Sequence, residues 1–462
     1  MVKNGDQNAW IPTLRKSAGP VYLAIANALS DDIVAGTLPA GTRLPTQREL
    51  ADALGIHFTT VTRAYEEARR LGLVEGRVGL GTYVRRNPPI SAPPVSTGLV
   101  DMSMNLPPRF DDAGLVARMW GGIASLESSG GADLLLRYQK LGDAQEDKAA
   151  GALWLSDRLP ALTTEQVLVC PGMRGALLAV VGLLADAGGV ICAESLTYPG
   201  IRALAAHLNI RLVAAEIDEE GVVPDAFDAV CRKEKPKALF CTPTFHSPTT
   251  ATMSLERRQA VVAVARQHGV PIIEDDAYGK LPRRTPPPLA ALGPELVYYV
   301  GGLAKCLSPA LRVGYLVPPD KRSAARLSGV MSSTTSPLTA AIATNWIYNG
   351  TADAVLAAIR KESMARQEIT KAVLPPGTFM TDAEAYHLWL SLPPPWTRAE
   401  FTARLRSVGI GVVSSDAFAL GVAPEAVRLS LGVPPTKDDL RTSLQTISNL
   451  LGEQPALSSM VV

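Results

Sequence analysis

The sequence predicts an α/β protein built from two folded units, and three observations support this prediction. A proline-dense segment, RNPPISAPPVSTGLV at 86–100, favours extended backbone and has too few apolar residues for a core. Before it, helical apolar spacing gives way to a hairpin-like pattern. After it, short apolar runs alternate with amphipathic helices. The predicted boundaries are a small unit at 12–85, a linker at 86–100 and a large unit at 101–455.

The large unit is expected to hold a mostly parallel sheet of seven strands within 150–318 and a smaller C-terminal α+β subdomain within 319–455. Continuous apolar runs fit strands that are buried on both faces, and their alternation with helices indicates a parallel sheet. The runs are VLVC (167–170), VICAE (190–194), RLVAAEI (211–217), ALFCT (238–242), PIIEDD (271–276), VYYVGG (297–302) and RVGYLV (312–317).

Composition excludes several classes of protein. The net charge of +1 gives the whole chain no electrostatic signature of nucleic-acid binding, so any such evidence must be local. The five cysteines are odd in number and lack CxxC spacing, which argues against a disulfide framework and a zinc site. The apolar stretch at 176–187 contains Gly182 and Asp186 and is too short to span a bilayer. We therefore expect a soluble cytoplasmic protein without a metal site or a membrane partner.

The small unit is expected to contain three helices and a β-hairpin. The second helix begins at Thr46, whose hydroxyl can form a capping box with Glu49, and it ends at Gly55. A glycine-rich turn separates two short strands in LVEGRVGLGTYV, residues 73–84. The predicted helices are 20–37, 46–54 and 58–71.

Three helices and a β-wing indicate a winged helix-turn-helix, in which the third helix fits the width of the DNA major groove. Residues 1–86 carry eleven Lys and Arg against eight Asp and Glu, a net of +3. On charge alone, an ordinary solvated helical domain remains an equal alternative. The predicted contacts of the third helix are His57, Thr59, Thr60, Thr62 and Arg63. Those of the second helix and the wing are Arg43, Thr46, Arg48, Arg77 and Gly79.

The run GTRLPTQRELADALGIHFTTVTRAYEEARRLGLVEGRVGLGTYV at 41–84 strongly resembles the DNA-binding domain of the GntR family. The family pattern G-x-x-L-P-S/T-x-R-x-L-A, then T-x-x-x-A-Y, then G-x-G-T-x-V is present over nearly the whole unit. One position departs from it, because Phe58 stands where family members often place a base-reading arginine. The resemblance implies binding of double-stranded DNA, but the base preference of the family does not carry over.

A second group of residues points to an aldehyde cofactor. In YVGGLAKCLSPALRVGYL (299–316), Lys305 follows a strand through a turn of small residues, and Arg312 lies seven residues later. A buried lysine with a lowered pKa can form a Schiff base, and an arginine can pair with a phosphate in a bidentate manner. Alone, this pattern is more often a surface lysine beside an ion-paired arginine.

Further segments fit the same cofactor, although each has a structural alternative. Asp275 ends a predicted strand, where it can pair with a pyridine nitrogen or act as a loop carboxylate. Tyr278 can bond a phenolic oxygen, and Tyr198 can stack on a ring or lie half-buried in a loop. CPGMRGAL (170–177) is a strand, turn and helix start that can bind phosphate or be a plain turn. Late in the chain, Arg428 can return to the cleft and hold a carboxylate.

In this order, the segments resemble the fold-type I aminotransferases, which bind pyridoxal 5′-phosphate (PLP), over about residues 101–452. The resemblance implies Lys305 as the Schiff-base lysine and Asp275 as the partner of the pyridine nitrogen. It implies Arg428 at the carboxylate of a substrate or effector. At the phosphate it implies Arg312, Arg174, Gly175 and, from a partner subunit, Tyr138.

Four positions depart from the aminotransferase pattern. HSPTT (246–250) aligns with the usual N-P-T-G, so that Ser247 stands in place of the asparagine at the phenolic oxygen and Thr250 in place of the glycine. Gly302 lacks a hydroxyl that often binds phosphate, and Ala304 replaces a frequent serine. These departures argue against fast transamination more than against binding of PLP.

A GntR-type unit joined by a proline-rich linker to an aminotransferase-like domain resembles the MocR subfamily of regulators. The resemblance implies a homodimer, head-to-tail in arrangement, that binds DNA at paired half-sites. It implies an effector that is a small amino compound or PLP itself. Two alternatives stay open: a working aminotransferase with an accessory DNA-binding domain, and a DNA-binding architectural protein whose second domain is inactive.

Overall fold

The computed structural model divides the chain into two compact units, Met1–Thr97 and Gly98–Val462. Gly79, Tyr138 and most of the predicted linker lie outside the described residues, as does the side chain of Arg77. The structure describes residues 10–12, 20–34, 37–39, 41–70, 73–77, 81–84, 100–127, 131–136, 145–331 and 335–453.

The first unit has the three helices and the hairpin that the sequence predicts. Its core is apolar, and it includes Val61, Tyr65 and Ala68 along one face of the third helix. The two strands pair antiparallel, Val74 opposite Val84. The elements are α1 (Val21–Val34), α2 (Gln47–Leu54), α3 (Phe58–Arg70), β1 (Val74–Arg77) and β2 (Gly81–Val84).

The second helix, α2, begins and ends as its sequence dictates. The Thr46 hydroxyl accepts from the Glu49 N–H at 3.3 Å, and the Glu49 carboxylate accepts from the Thr46 N–H at 2.8 Å. This is the predicted capping box. Gly55 ends the helix with a φ of +63°, a left-handed conformation that favours glycine. Both ends of α2 are thus fixed by local sequence, which sets the position of the exposed residues around it.

The second unit is centred on a seven-stranded sheet in the order β4-β12-β11-β10-β9-β5-β6. Only β12 runs antiparallel to its neighbours, so the sheet is mostly parallel, as predicted. The strands of this unit are β3 (Val100–Asp101), β4 (Leu168–Cys170), β5 (Val190–Glu194), β6 (Arg211–Ala215), β7 (Ile217–Asp218), β8 (Gly221–Val222), β9 (Leu239–Cys241), β10 (Ile272–Asp275), β11 (Val297–Gly302), β12 (Gly314–Val317), β13 (Phe379–Met380), β14 (His387–Ser391), β15 (Ile410–Gly411), β16 (Val413–Ser414) and β17 (Ala426–Ser430).

Helices cover the seven-stranded sheet and bury it in two apolar clusters. The helices of this unit are α4 (Ala113–Ala124), α5 (Gly131–Leu136), α6 (Gln145–Leu155), α7 (Gly172–Leu184), α8 (Pro199–His207), α9 (Pro224–Glu234), α10 (Leu255–His268), α11 (Leu289–Leu292), α12 (Lys321–Met331), α13 (Pro337–Tyr348), α14 (Thr351–Val373), α15 (Arg398–Ser407) and α16 (Lys437–Leu451).

All seven predicted apolar runs supply a strand of this sheet. One run differs from its prediction, because 211–217 contains a break: β6 ends at Ala215, and Ile217 begins a separate strand that pairs with β8. The break fits the side chains, since Glu216 interrupts the apolar run.

A smaller subdomain follows in the chain, with the sheet β13-β14-β17-β16 and its own apolar core. A short segment from far upstream joins it. β3 pairs parallel with β15, Val100 opposite Ile410, and Met102 is fully buried in the core of the small subdomain. The chain that leaves the predicted linker therefore enters the small subdomain before it reaches the large sheet.

The five cysteines, Cys170, Cys192, Cys231, Cys241 and Cys306, are all buried and unpaired by disulfides. Burial raises the pKa of Cys231 to about 11 and that of Cys306 to about 12. No group of side chains within the described ranges could hold a metal ion. Among the helices that the structure describes, none combines the length and apolar character needed to cross a membrane.

Candidate functional site

The exposed face of the first unit carries most of the residues predicted to contact DNA. Two arginines flank the capped start of α2, and three polar residues lie at the start of α3. Arg43 bridges to Tyr83 of the hairpin, which ties the region before α2 to the wing. The exposed residues are Arg43, Thr46, Arg48, His57, Thr59 and Arg63, whereas Thr60 is half-buried.

Two of these predictions need refinement. Thr62 is half-buried, and its hydroxyl lies 3.0 Å from Oε1 of Gln47 and 3.1 Å from the carbonyl of Phe58, so it faces α2 more than solvent. The ring of Phe58 lies 5.0 Å from that of His57 and is 47% exposed. The side chain is thus available for an apolar contact at the surface and does not pack in the core.

In the second unit, a cavity of about 620 Å³ brings together residues from distant segments of the chain. Its walls come from the ends of the sheet strands, the start of α7 and the small subdomain. Gly175 is the described site prediction that does not line it; that residue lies one turn into α7. The predicted residues that line the cavity are Arg174, Tyr198, Ser247, Asp275, Tyr278, Lys305, Arg312 and Arg428.

Lys305 and Asp275 occupy desolvated positions in this cavity. Burial and, to a lesser extent, the positive charge of Arg428 lower the pKa of Lys305 to about 8, against the opposing effect of Asp275. Burial also raises the pKa of Asp275 to about 7, although the Ala277 N–H that it accepts, at 3.2 Å, favours the charged form. The lysine is thus close to a neutral nucleophile, and the carboxyl group is placed where a facing cation would restore its charge.

The start of α7 forms the second end of the cavity. The first N–H groups of an α-helix have no partner within the helix, and they attract anions. Gly172 begins α7 with a φ of +68°, and a Cβ added to it would lie 3.6 Å from Cζ of Arg312. The guanidinium of Arg312 therefore lies beside a helix N-terminus, which is an arrangement suited to a phosphate group.

Arg428 lies on β17 at the opposite side, in the small subdomain. It is 8% exposed, and its Nη2 donates to the carbonyl of Ser103. Its guanidinium also lies over the ring of Phe418, 5.2 Å from the centroid. Within the described residues its Nε is buried without a hydrogen-bond partner. A buried guanidinium with an unused donor that lines a cavity can bind a carboxylate.

The phenol of Tyr278 is held from a segment that the sequence did not indicate. Nδ2 of Asn105 donates to the Tyr278 hydroxyl at 2.8 Å, and Nζ of Lys305 donates to the carbonyl of Asn105. Asn105 is 5% exposed and lies at least 173 residues from both partners. No local pattern marks it, and only a contact between distant segments reveals it.

The residues present fit PLP. The cavity offers an amine with a lowered pKa, a carboxyl group that needs a cation, and a helix N-terminus beside an arginine. The departure at Thr250 leaves this set intact, because Thr250 does not line the cavity. Thr250 adopts a φ of +66° that is unusual for a β-branched residue. The altered loop thus carries backbone strain without removing a donor from the cavity.

Comparisons with known proteins agree with both sites. Residues 121–447 match the family "Aminotransferase class I and II", and residues 21–84 match "Bacterial regulatory proteins, gntR family". The chain is 27% identical to the HTH-type transcriptional regulator YdeF of Bacillus subtilis over 96% of this chain and 97% of that protein.

Two further similarities are informative. The probable rhizopine catabolism regulatory protein MocR of Rhizobium meliloti is 29% identical over 65% of this chain and 66% of that protein. The crystal structure of LysN, an α-aminoadipate aminotransferase of Thermus thermophilus, matches with a TM-score of 0.69 at 22% identity, over 78% of this chain and 94% of that one. The second unit thus has the fold of a PLP-dependent aminotransferase. Taken together, the two units identify the chain as a member of the aminotransferase class I and II family with a gntR-type N-terminal unit, a DNA-binding transcription regulator whose cofactor is PLP and whose architecture is consistent with the MocR subfamily.

Proposed function

We propose that the protein binds operator DNA at paired half-sites as a homodimer, and that an amino compound with a carboxylate, or PLP itself, controls this binding. The observation that carries the proposal is the convergence of Lys305, Asp275, Arg312 and Arg428 on one cavity. These residues come from three strand ends and a strand of the small subdomain, so chance proximity in sequence does not explain it.

Each end of the cavity has a proposed role. Lys305 supplies the amine, Asp275 faces the pyridine nitrogen, and Tyr278 with Ser247 lies at the phenolic oxygen. Arg312, with Arg174 and the start of α7, holds the phosphate, and Tyr198 stacks on the ring. Gly175 has no proposed contact with the cofactor, because it does not line the cavity. When bound, the cofactor supplies an aldehyde and an electron-withdrawing ring.

The chemistry of the cavity favours an α-amino acid or a related compound as effector. Arg428 offers its unpartnered Nε to a carboxylate, and Phe418 beneath it excludes water from the pair. An amino group is required for exchange at Lys305, whose lowered pKa keeps a fraction of the amine uncharged near neutral pH. A compound that carries both an amino group and a carboxylate can therefore engage Lys305 and Arg428 at the same time.

The second copy of this chain is the proposed partner of an apolar surface. Large exposed apolar side chains occur on four helices, α4, α5, α6 and α13, of which α13 contacts the other three. Such a surface favours burial against another chain. Tyr138, which follows α5 in the sequence and which the aminotransferase resemblance assigns to the phosphate of a partner subunit, argues for a second copy. The apolar residues are Val116, Trp120, Leu135, Leu136, Leu153 and Tyr348.

Control of DNA binding requires that the effector binds two conformations of the dimer with different free energies. The cavity lies between the large and small subdomains of the second unit, so a ligand that contacts both sides can favour one relative position of these subdomains. We propose that this change in the relative position of the two subdomains is the signal that controls DNA binding. A ligand held by the large subdomain alone would carry no such preference.

The experiment that tests the proposal is reduction with borohydride after incubation with PLP, followed by peptide mapping. We expect PLP covalently attached to Lys305, and none in Lys305→Ala. Lys280→Ala is the matched control, since Lys280 is ion-paired with Asp157 and does not line the cavity. Attachment at another lysine, or a protein that stays colourless in excess PLP, would contradict the cofactor assignment.

A second function is favoured by one observation: the cavity retains both the reactive lysine and a carboxylate-binding arginine. A working aminotransferase needs these same residues. Sustained conversion of an amino acid and a keto acid would support it. A spectrum that shifts with an amino compound and then stays fixed would support the regulator.

A further inference from the structure

Residues 103–106, which we term the strap, cross the wall of the cavity and hold two of its cationic side chains, Lys305 and Arg428. Nζ of Lys305 donates to the carbonyl of Asn105, and Nη2 of Arg428 donates to the carbonyl of Ser103. The amide of Asn105 donates to the hydroxyl of Tyr278 at 2.8 Å. Three residues that we place at the cofactor or effector are thus hydrogen-bonded to one short segment.

The strap is anchored in the small subdomain at both ends. Upstream of it, Met102 is fully buried, and its carbonyl accepts from the N–H of Ser430 at 3.0 Å. Downstream, a Cβ added to Gly432 would lie 1.9 Å from the carbonyl oxygen of Leu106, so this backbone lies directly against the strap. The bonds from Lys305 and Tyr278 are therefore links between the strap and the large subdomain.

We propose that the strap competes with ligands for Lys305 and Arg428, so that binding of PLP weakens its attachment to the large subdomain and binding of a carboxylate weakens its attachment to the small subdomain. This inference rests on the proposed function. In sequence, the strap lies just after the predicted linker at 86–100. The loosening of the strap is the step by which ligand binding reaches the part of the chain that directly follows the linker.

The covalent step at Lys305 breaks the first link. The ammonium group gives one proton to solvent, and the neutral amine attacks the aldehyde carbon. A carbon–nitrogen double bond forms, and the aldehyde oxygen leaves as water with the two remaining amine protons. The nitrogen then has at most one proton, gained from solvent, in place of three donors. The carbonyl of Asn105 loses its donor, and a buried carbonyl without a partner is unfavourable.

A carboxylate that binds Arg428 weakens the hydrogen bond between Arg428 and the carbonyl of Ser103. A bidentate carboxylate that uses the unpartnered Nε also uses Nη2, which now donates to the carbonyl of Ser103. The carboxylate is the stronger acceptor because it is charged. Ser103 and Asn105 lie two positions apart, so both ligands act on the same short segment.

The test is hydrogen–deuterium exchange of peptides that cover 100–108, in the full-length protein with and without PLP. The loss of one hydrogen bond should make this exchange roughly fivefold faster on loading. Lys305→Ala should show the faster exchange without PLP and no further change with it. Lys280→Ala should behave like the unaltered protein. A carboxylate probe, maleate, added to the loaded protein should increase the exchange again.

Two glycine variants test the strap without altering a ligand-binding residue. Gly432→Ala should push the strap away and raise its exchange in the absence of PLP, whereas Gly421→Ala, which meets no atom within 4 Å, should not. If PLP attaches to Lys305 but the hydrogen–deuterium exchange of the strap is unchanged or slower, this inference is wrong and the proposed function still stands. Failure to load would overturn the proposed function. Slow strap exchange in Lys305→Ala would then show separately that the amine does not hold the strap.

Discussion

Met173 fills the space in which a side chain at position 302 would lie. A Cβ added to Gly302 would be 2.5 Å from Cγ and 2.6 Å from Sδ of Met173, which are distances that real Cβ atoms essentially never show. The sequence marked Gly302 as a lost phosphate-binding hydroxyl. The structure gives the physical reason for the glycine, because the methionine at the start of α7 already occupies that volume.

Gly302→Ser should therefore destabilise the protein without improving PLP binding. Overpacking of a buried site costs about 1–3 kcal/mol of the free energy of unfolding. Chemical denaturation measures that loss, and absorbance titration measures the affinity for PLP. Met173→Ala combined with Gly302→Ser should recover part of the stability, since it removes the clashing atoms. Gly421→Ser is the control. A fully stable Gly302→Ser would show that Met173 moves aside freely.

Thr250→Gly should stabilise the protein. Thr250 has a φ of +66°, and a β-branched residue in this left-handed region is strained by about 1 kcal/mol or more relative to glycine. Thr250→Ala is the matched control, because it loses the hydroxyl that donates to Thr249 at 2.5 Å but keeps a Cβ. Urea denaturation should place the glycine variant above both others. A glycine variant no more stable than the alanine variant would show that the loop is unstrained.

The rate of PLP loading should rise with pH and level off above the pKa of Lys305, about 8. Only the uncharged amine attacks an aldehyde, and its fraction grows as pH passes the pKa from below. Arg428→Met should move the midpoint to higher pH, because removal of a nearby positive charge favours the charged lysine. Stopped-flow absorbance follows the rate. Arg441→Met, at an exposed position of α16, should leave the midpoint unchanged. An equal shift of the midpoint in both variants would show that the effect of Arg428 on Lys305 is not local.

Trp120→Glu and Leu136→Glu should convert the proposed homodimer to a monomer. These side chains are 55% and 81% exposed, and a charge buried in an apolar interface is strongly unfavourable. Light scattering after size exclusion measures the mass. Val422→Glu is the control, since Val422 is 99% exposed in the small subdomain, outside the four helices. Dimers that persist in both variants would place the interface elsewhere.

Arg48→Ala should weaken DNA binding on all sequences alike and lower the slope of log affinity against log salt by about one unit, as one lost phosphate contact does. Arg48 is exposed beside the capped start of α2, where it can reach a backbone phosphate. Fluorescence anisotropy with labelled duplexes at several salt concentrations measures the slope. Arg441→Met serves again as the control. An unchanged slope would mean that Arg48 does not contact the DNA backbone.

Local signals in the sequence predicted the elements well. The capping box of Thr46 and Glu49 and the stop at Gly55 depend on neighbours within a few residues, and each is present. The apolar runs predicted all seven strands because burial on both faces leaves a continuous pattern. The order of those strands, and the union of β3 with β15, depend on pairings between distant segments, which no local pattern records.

In the candidate cavity, too, some residues were predicted from local sequence and others act only through contacts between distant segments. Lys305 and Asp275 stand at or just after the ends of predicted strands, Arg428 stands within a late apolar run, and the structure brings all three to one cavity. Asn105 and Met173 were not predicted to act there. Asn105 contacts the site from at least 173 residues away, and Met173 matters only through the volume that it fills beside Gly302. Long-range contacts and exact volumes are properties of packing, which the sequence does not show.

The burial of all five thiols makes the protein a ready host for site-specific labels. Thiol reagents attack the thiolate, and the raised pKa values leave almost none of it at neutral pH. A cysteine introduced at an exposed position such as Val422 would therefore react with a fluorescent maleimide far ahead of the native thiols. Distances between the two units on DNA then become measurable by energy transfer in a chain that keeps all its native residues except those chosen for the dyes.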